Sequence, residues 1–172
     1  RLLDLIFDQE CTKAEFAQLV GVNKEVITRA TVYSIVPSVK SLIKIADSLN
    51  ISLEYLLAKT DKNVFYKSES PTTFHYRIEQ LRKEKNEKYS AICRSMPFQK
   101  NSFYEWLRTV SLPTLEYLEA IAEYFNVSLD YLLGRTDYGI IPTSKILIRM
   151  ADYFDVSMNN LLGKSDEEFK KS

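Results

Sequence analysis

Three segments of the chain align without gaps: VKSLIKIADSLNISLEYLLAKTD (39–61), LEYLEAIAEYFNVSLDYLLGRTD (115–137) and SKILIRMADYFDVSMNNLLGKSD (144–166). A proline stands two residues before each (Pro37, Pro113, Pro142). The last two share ten identities, among them Ala122/Ala151, Phe125/Phe154 and Leu132-Leu133-Gly134/Leu161-Leu162-Gly163. A repeat of this kind decides the architecture before any single element is read. In the second segment Leu115, Leu118, Ile121, Ala122 and Phe125 recur at three- and four-residue steps, the spacing of one apolar helix face. Asn126-Val127-Ser128 interrupts that pattern, and Ser128 is placed to cap a short helix over 129–133 that ends at Gly134. The first segment does the same with Leu42, Ile45, Ala46 and Leu49, then Ser52. So short a helix pair cannot bury its own apolar faces, and the chain upstream must cover them.

The upstream sequence supplies that cover twice. Leu2, Leu5 and Ile6 make one face; Thr12 caps a helix holding Phe16, Ala17 and Val20; Gly21 makes a turn; Asn23 caps a third helix through Ile27 and Ala30. In the second copy Ile78 and Leu81 mark the first helix. Ile92, Cys93 and Met96 mark the next, and Phe98, Phe103 and Trp106 anchor the third. The expected organisation is all-α. It comprises a five-helix domain over 1–61, a linker over 62–76, a second five-helix domain over 77–138 and a partial repeat, a helical pair, over 139–172.

Composition narrows the function. The 172 residues carry 23 Lys+Arg and 23 Asp+Glu, so no global charge draws the chain to nucleic acid or membrane, although a neutral total can hide a local patch. No apolar run approaches the roughly 18 residues of a membrane span. Residues 2–7 are apolar but include Asp4 and lack a basic leader, so no signal peptide is expected and the chain reads as cytoplasmic. Cys11 and Cys93 have no metal or disulfide spacing and are expected as free thiols, Cys93 buried; His75, the only histidine, is expected exposed in the linker. Gly21, Gly134, Gly139 and Gly163 stand alone, so no phosphate-cradling loop is present. The chain reads as no enzyme, with no metal and no cofactor.

Both long units resemble the Cro/repressor-type (XRE-like, lambda-repressor-like) helix-turn-helix domain. The residues that carry the resemblance are RIEQLRKEKN, FQKNSFYEWL and LPTLEYLEAIAEYFNVSLDYLLGRTD in the second copy, and TKAEFAQLVGVNKEVITR in the first. The resemblance implies tandem lambda-repressor-like domains of bacterial, phage or mobile-element origin. It also implies a transcriptional regulator that binds an operator in double-stranded DNA through its third helices. Carried over position by position, the second copy offers Gln99, Lys100, Asn101, Ser102 and Glu105 on the recognition helix, Tyr89 at the start of the second helix and Arg82 on the first. The first copy offers Lys13, Asn23, Lys24, Glu25, Thr28 and Arg29. Lysine can donate to guanine O6/N7, and asparagine pairs bidentately with adenine.

Local charge separates the copies. Over 77–108 eight positive residues face four negative ones, a balance of +4, whereas 109–137 carries −4. A basic half backed by an acidic half suits docking onto phosphates. Residues 1–36 of the first copy balance at −1, a weak attraction. Departures from the pattern weigh against specific base recognition: Pro97 at the turn glycine, Lys88 at the cap, Leu107 in place of the glutamate that pairs with Arg82, and Ala30-Thr31-Val32-Tyr33 in the first copy. They favour the alternative of a protein-interaction scaffold, such as an antirepressor, antitoxin or dimerisation module. The linker's 15 residues span on the order of 50 Å extended. That lets one chain act as its own pseudo-dimer without requiring it. The apolar face Leu147, Met150, Phe154, Val156 and Leu161 of the partial repeat calls for a partner, the second domain or a second chain in a homodimer.

Overall fold

In a computed structural model, residues 1–109 and 111–139 are described; the partial repeat expected beyond them lies outside the described residues. All regular structure among these residues is helical. The order is α1 (Leu2–Asp8), α2 (Lys13–Leu19), α3 (Lys24–Val32), α4 (Val39–Leu49), α5 (Leu53–Leu56), α6 (Phe74–Glu84), α7 (Tyr89–Arg94), α8 (Lys100–Thr109), α9 (Leu115–Phe125) and α10 (Leu129–Leu132). The second five repeat the first five at an offset of 76 residues. No described helix is long and apolar enough to cross a membrane.

Local chemistry accounts for most boundaries. Thr12 accepts from the Glu15 N–H while Glu15 reaches back to the Thr12 N–H, a full capping box at α2. Asn23, Ser38, Ser52, Thr73 and Ser128 cap α3, α4, α5, α6 and α10 with side-chain oxygens. Asn50 and Asn126 end α4 and α9 in the left-handed region, φ 51° and 55°, which asparagine tolerates. Gly21 makes the first copy's turn at φ 65°. At the equivalent Pro97, φ is tied near −65°. No residue there takes positive φ, and α7 stops at Arg94, one residue short of its counterpart α2. Lys88, in the cap position of α7, makes no side-chain cap bond.

Each copy encloses its own apolar residues: Phe16, Ile27 and Ile45 in the first, Ile78, Ile92, Phe103, Leu118 and Ile121 in the second, all fully buried. The copies then join through α5 and α10 by a reciprocal exchange. The Leu53 N–H donates to Asp130 Oδ2 at 2.9 Å, and the Leu129 N–H donates to Glu54 Oε1 at 2.6 Å. Each four-residue helix thus has its third amide capped by its own serine and its first by the other copy's carboxylate. Arg135, nearly buried, bonds Asp130, Asp47 Oδ1 at 2.9 Å and the Ile51 carbonyl at 3.1 Å. Lys59 pairs with Glu119 at 2.8 Å.

The segment 62–76, read from the sequence as a linker whose Val64, Phe65, Tyr66, Phe74 and Tyr76 could dock onto a neighbour, is docked. Ser68 and Thr72 donate backbone N–H groups to the carbonyls of Arg135 (2.8 Å) and Gly134 (3.2 Å). The Arg135 guanidinium lies over the Phe65 ring at 4.5 Å, and Tyr66 meets Tyr138 edge-on. The helix after the linker starts at Phe74, which is buried, three residues before the expected boundary of 77. His75 is therefore helical rather than loose, and its Nε2 lies 3.0 Å from the Trp106 carbonyl, half-buried instead of exposed. Cys93 is buried and Cys11 half-buried, both free thiols.

Burial pushes the Asp130 carboxyl up to about 7 from 3.8; the Arg135 charge opposes this and the Glu54 charge adds to it. The folded chain therefore holds a proton that the unfolded chain lacks. The matching stability is complete below about 3.8 and is lost as pH rises through about 7. Urea unfolding is expected to show falling stability from pH 5 to pH 8, with a flatter profile in Asp130→Asn; equal slopes would contradict this assignment. At Gly134 (φ +72°) an added methyl would press into the Thr72 carbonyl, whereas at Gly21 (φ +65°) nothing lies within 4 Å. Gly134→Ala is expected to cost about 2 kcal/mol or more, and Gly21→Ala only the backbone strain of about 1 kcal/mol. Thermal melts of the two variants compare them directly.

Candidate nucleic-acid interface

The third helix of the second copy, α8, is fixed from one side by aromatic packing. Phe103, fully buried, stacks on Phe98 with ring centroids 5.6 Å apart and planes at 10°. Phe98 meets Trp106 at 4.9 Å and Tyr117 at 5.2 Å, both edge-on. Tyr89 leans on Phe103 at 5.6 Å. The Gln99 carbonyl opens the helix by accepting from the N–H groups of Ser102 (3.0 Å) and Phe103 (3.4 Å). Aromatic contacts of this kind leave the helix little freedom to roll.

Its other side faces solvent. Gln99, Lys100, Asn101, Tyr104, Glu105 and Arg108 are exposed, and Ser102 is half-buried. Arg108 pairs with Glu105 at 2.6 Å and offsets that acid. Lys100 has no carboxylate within salt-bridge distance among the described residues; its Nζ lies 5.6 Å from the Tyr104 ring. The sequence-derived residues Gln99, Lys100 and Asn101 are thus brought together on one accessible edge at the start of the helix.

Arg82 and Tyr89 sit differently from the expectation. Arg82 grips Glu79 with Nε (2.9 Å) and Nη2 (2.7 Å) and donates from Nη1 to the Glu87 carbonyl at 2.9 Å. The Tyr89 hydroxyl donates to Glu79 Oε2 at 2.5 Å. The acid missing at Leu107 is therefore supplied by Glu79, three residues before Arg82 on the same helix. The bonds from Arg82, then from Tyr89, hold the Glu79 carboxyl at about 2. Burial, then the Glu79 contact, pushes the Tyr89 phenol up to about 12. These two residues tie α6 to α7, and both are half-buried rather than free.

The local +4 is also partly committed. Arg77 is buried, lies over the Tyr131 ring at 3.9 Å and reaches Asp137 at 3.3 Å. Lys83 approaches Glu79 at 3.5 Å, and Lys85 donates to the Tyr124 carbonyl at 2.9 Å. Lys88, Arg94 and Lys100 remain exposed and without a carboxylate among the described residues. Sequence patterning did not single out Arg94 or Glu79. Arg94 lies in the last turn of α7 and carried no motif, while Glu79 passed for one more charge on a solvated face.

In the first copy Lys24, Glu25 and Arg29 are exposed on α3. Asn23 spends its side-chain oxygen on the Glu25 N–H at 2.8 Å, and Thr28 donates to the Lys24 carbonyl at 3.1 Å. Lys13 is half-buried at the start of α2. Beyond α3's basic residues, Val32, Tyr33, Ile35 and Val36 are exposed apolar surface. No group of three or more His, Cys, Asp or Glu able to hold a metal ion occurs among the described residues.

No family model matches the chain, and neither a curated protein nor a solved structure matches it.

Glu79→Gln removes the charge that Tyr89 answers to while keeping the side chain's size. The Tyr89 phenol is expected to titrate lower, moving from about 12 toward the ordinary ~10 without reaching it, because burial is the larger cause. Carbon NMR of labelled tyrosine across pH reads this, and an unmoved Tyr89 would refute the clamp.

Proposed function

We propose that this protein is a sequence-specific DNA-binding transcriptional regulator that acts by occupying an operator. The observation that carries the reading is the accessible start Gln99–Lys100–Asn101 of a helix locked from behind by Phe98, Phe103 and Trp106, with Lys88 and Arg94 of the preceding helix exposed and uncommitted. The helix order of each copy also agrees with the Cro/repressor-type arrangement that the sequence resembles. In this reading α8 enters the major groove by its N-terminal end. Lys100 donates to guanine and Asn101 pairs with adenine, while Lys88 and Arg94 neutralise phosphates and set the register. Arg82 and Tyr89 hold the two leading helices at a fixed angle and touch DNA only through hydrogen-bonding capacity left over from Glu79.

A second reading has its own support. Val32, Tyr33, Ile35 and Val36 form an exposed apolar run where a DNA-reading copy would place polar groups, which favours protein contact by the first copy. The two readings separate in one experiment: selection from a random duplex pool, followed by affinity across salt. Under the DNA reading one motif is enriched, and Lys100→Ala or Asn101→Ala each weakens binding by about 1–3 kcal/mol and relaxes one base position. Lys88→Ala weakens all sequences alike and shallows the salt slope by about 0.9. Absence of any enriched motif would leave the scaffold reading as the better one.

A further inference from the structure

The contacts between the two copies have a symmetry that bears on what DNA they read, and the step below rests on the DNA-binding reading above. Leu53 and Leu129 are the same position of the repeat, as are Glu54 and Asp130. The Leu53 amide bonds Asp130, and the Leu129 amide bonds Glu54. When position i of one copy meets position j of the other and the converse also holds, the copies are related by a two-fold axis. A head-to-tail arrangement would join unlike patches. On the flanks Lys59 and its equivalent Arg135 each cross to the other copy's fourth helix, about one turn apart, at Glu119 (the equivalent of Ile43) and at Asp47. A groove of about 730 Å³ is lined from both copies, by 36–40 of the first and by the equivalent 112–116 of the second with Tyr117 and Glu119.

We propose that one chain, without a second copy, occupies an operator made of two unequal half-sites related by a dyad. The two-fold that relates the copies necessarily relates α3 to α8. B-form DNA offers matching dyads, with half-sites about one helical turn apart. The spacing is set by the α5–α10 junction and by the docked segment at Ser68 and Thr72, not by a loose tether. The half-sites differ because the helices differ. One presents Lys100 and Asn101 in a region of +4 balance, the other Lys24, Glu25 and Arg29 in a region of −1. The half-site under α8 therefore supplies most of the affinity, and the half-site under α3 adds a weaker second reading.

The test uses the full chain and the sequence selected from the random pool. Native mass spectrometry is expected to find one chain per duplex, and hydroxyl-radical footprinting two protected stretches about 10 base pairs apart. Inserting five base pairs between the stretches turns one half-site to the opposite face of the duplex. Affinity should then fall at least tenfold, to that of the α8 half-site alone, and Lys24→Ala/Arg29→Ala should reach the same level on the unaltered site. One protected stretch, two chains per duplex, or indifference to the insertion would overturn the single-chain proposal while leaving DNA reading by α8 standing. Failure to enrich any sequence would overturn both together.

Discussion

The architecture depends on a pair of carboxylates, each closing the first turn of a helix that belongs to the other half of the chain. A four-residue helix such as α5 or α10 consists almost entirely of ends, with nearly every amide in need of a partner from outside. Ser52 and Ser128 satisfy one each, and Asp130 and Glu54 satisfy another across the junction. Burying Asp130 carries a desolvation cost of several kcal/mol, and the single guanidinium of Arg135 offsets only part of it. Glu54 Oε2 is buried with no hydrogen-bond partner among the described residues. A carboxyl proton on Asp130 supplies a natural donor for that oxygen. In the observed register the first amide of each helix is answered by the other copy's carboxylate.

Rigidity behind α8 comes from a different source in each direction. Aromatic rings hold α8 from its buried side, and the Glu79 clamp holds α6 against α7. Pro97 removes the left-handed turn that Gly21 provides in the first copy, and α7 is shorter as a result. The stacked Phe98 and Phe103 compensate by pinning both sides of that turn to the core. The second copy thus fixes the turn between α7 and α8 through side-chain packing, where the first uses a permissive glycine backbone.

Much of the fold was legible in the sequence because its signals are local. The three- and four-residue steps of Leu42, Ile45, Ala46 and of Leu118, Ile121, Ala122 mark buried helix faces, and Ser52, Ser128, Thr12 and Asn23 all cap where their positions suggest. The junction was not legible, for a physical reason. Glu54 and Asp130 look like ordinary first-turn acids, and their partners lie more than 70 residues away. The exposed residues of α8 were reached through the family resemblance, which gave no hint of the engagement of Arg82 with Glu79. An i,i+3 pair on a mixed-charge helix has the same spelling whether it is solvated or clamped by a tyrosine from the next helix. The docked segment was legible in part: its aromatic residues Phe65, Tyr66 and Phe74 are suited to packing on a neighbour, whereas its backbone amide-to-carbonyl bonds leave no trace in residue type.

Gly134 has a counterpart in Ala58, which takes the same left-handed conformation at φ 57° with a side chain attached. At Gly134 the backbone and hydroxyl of Thr72 occupy the space that a Cβ would need. The duplication has therefore lost its interchangeability at this corner. A tract of sequence copied from the second repeat into the first would bring a glycine to a place that welcomes it. The opposite transfer would drive a methyl group into the connecting segment. Exchange of sequence between the two halves is therefore tolerated at this corner in one direction only, with the second repeat as the donor.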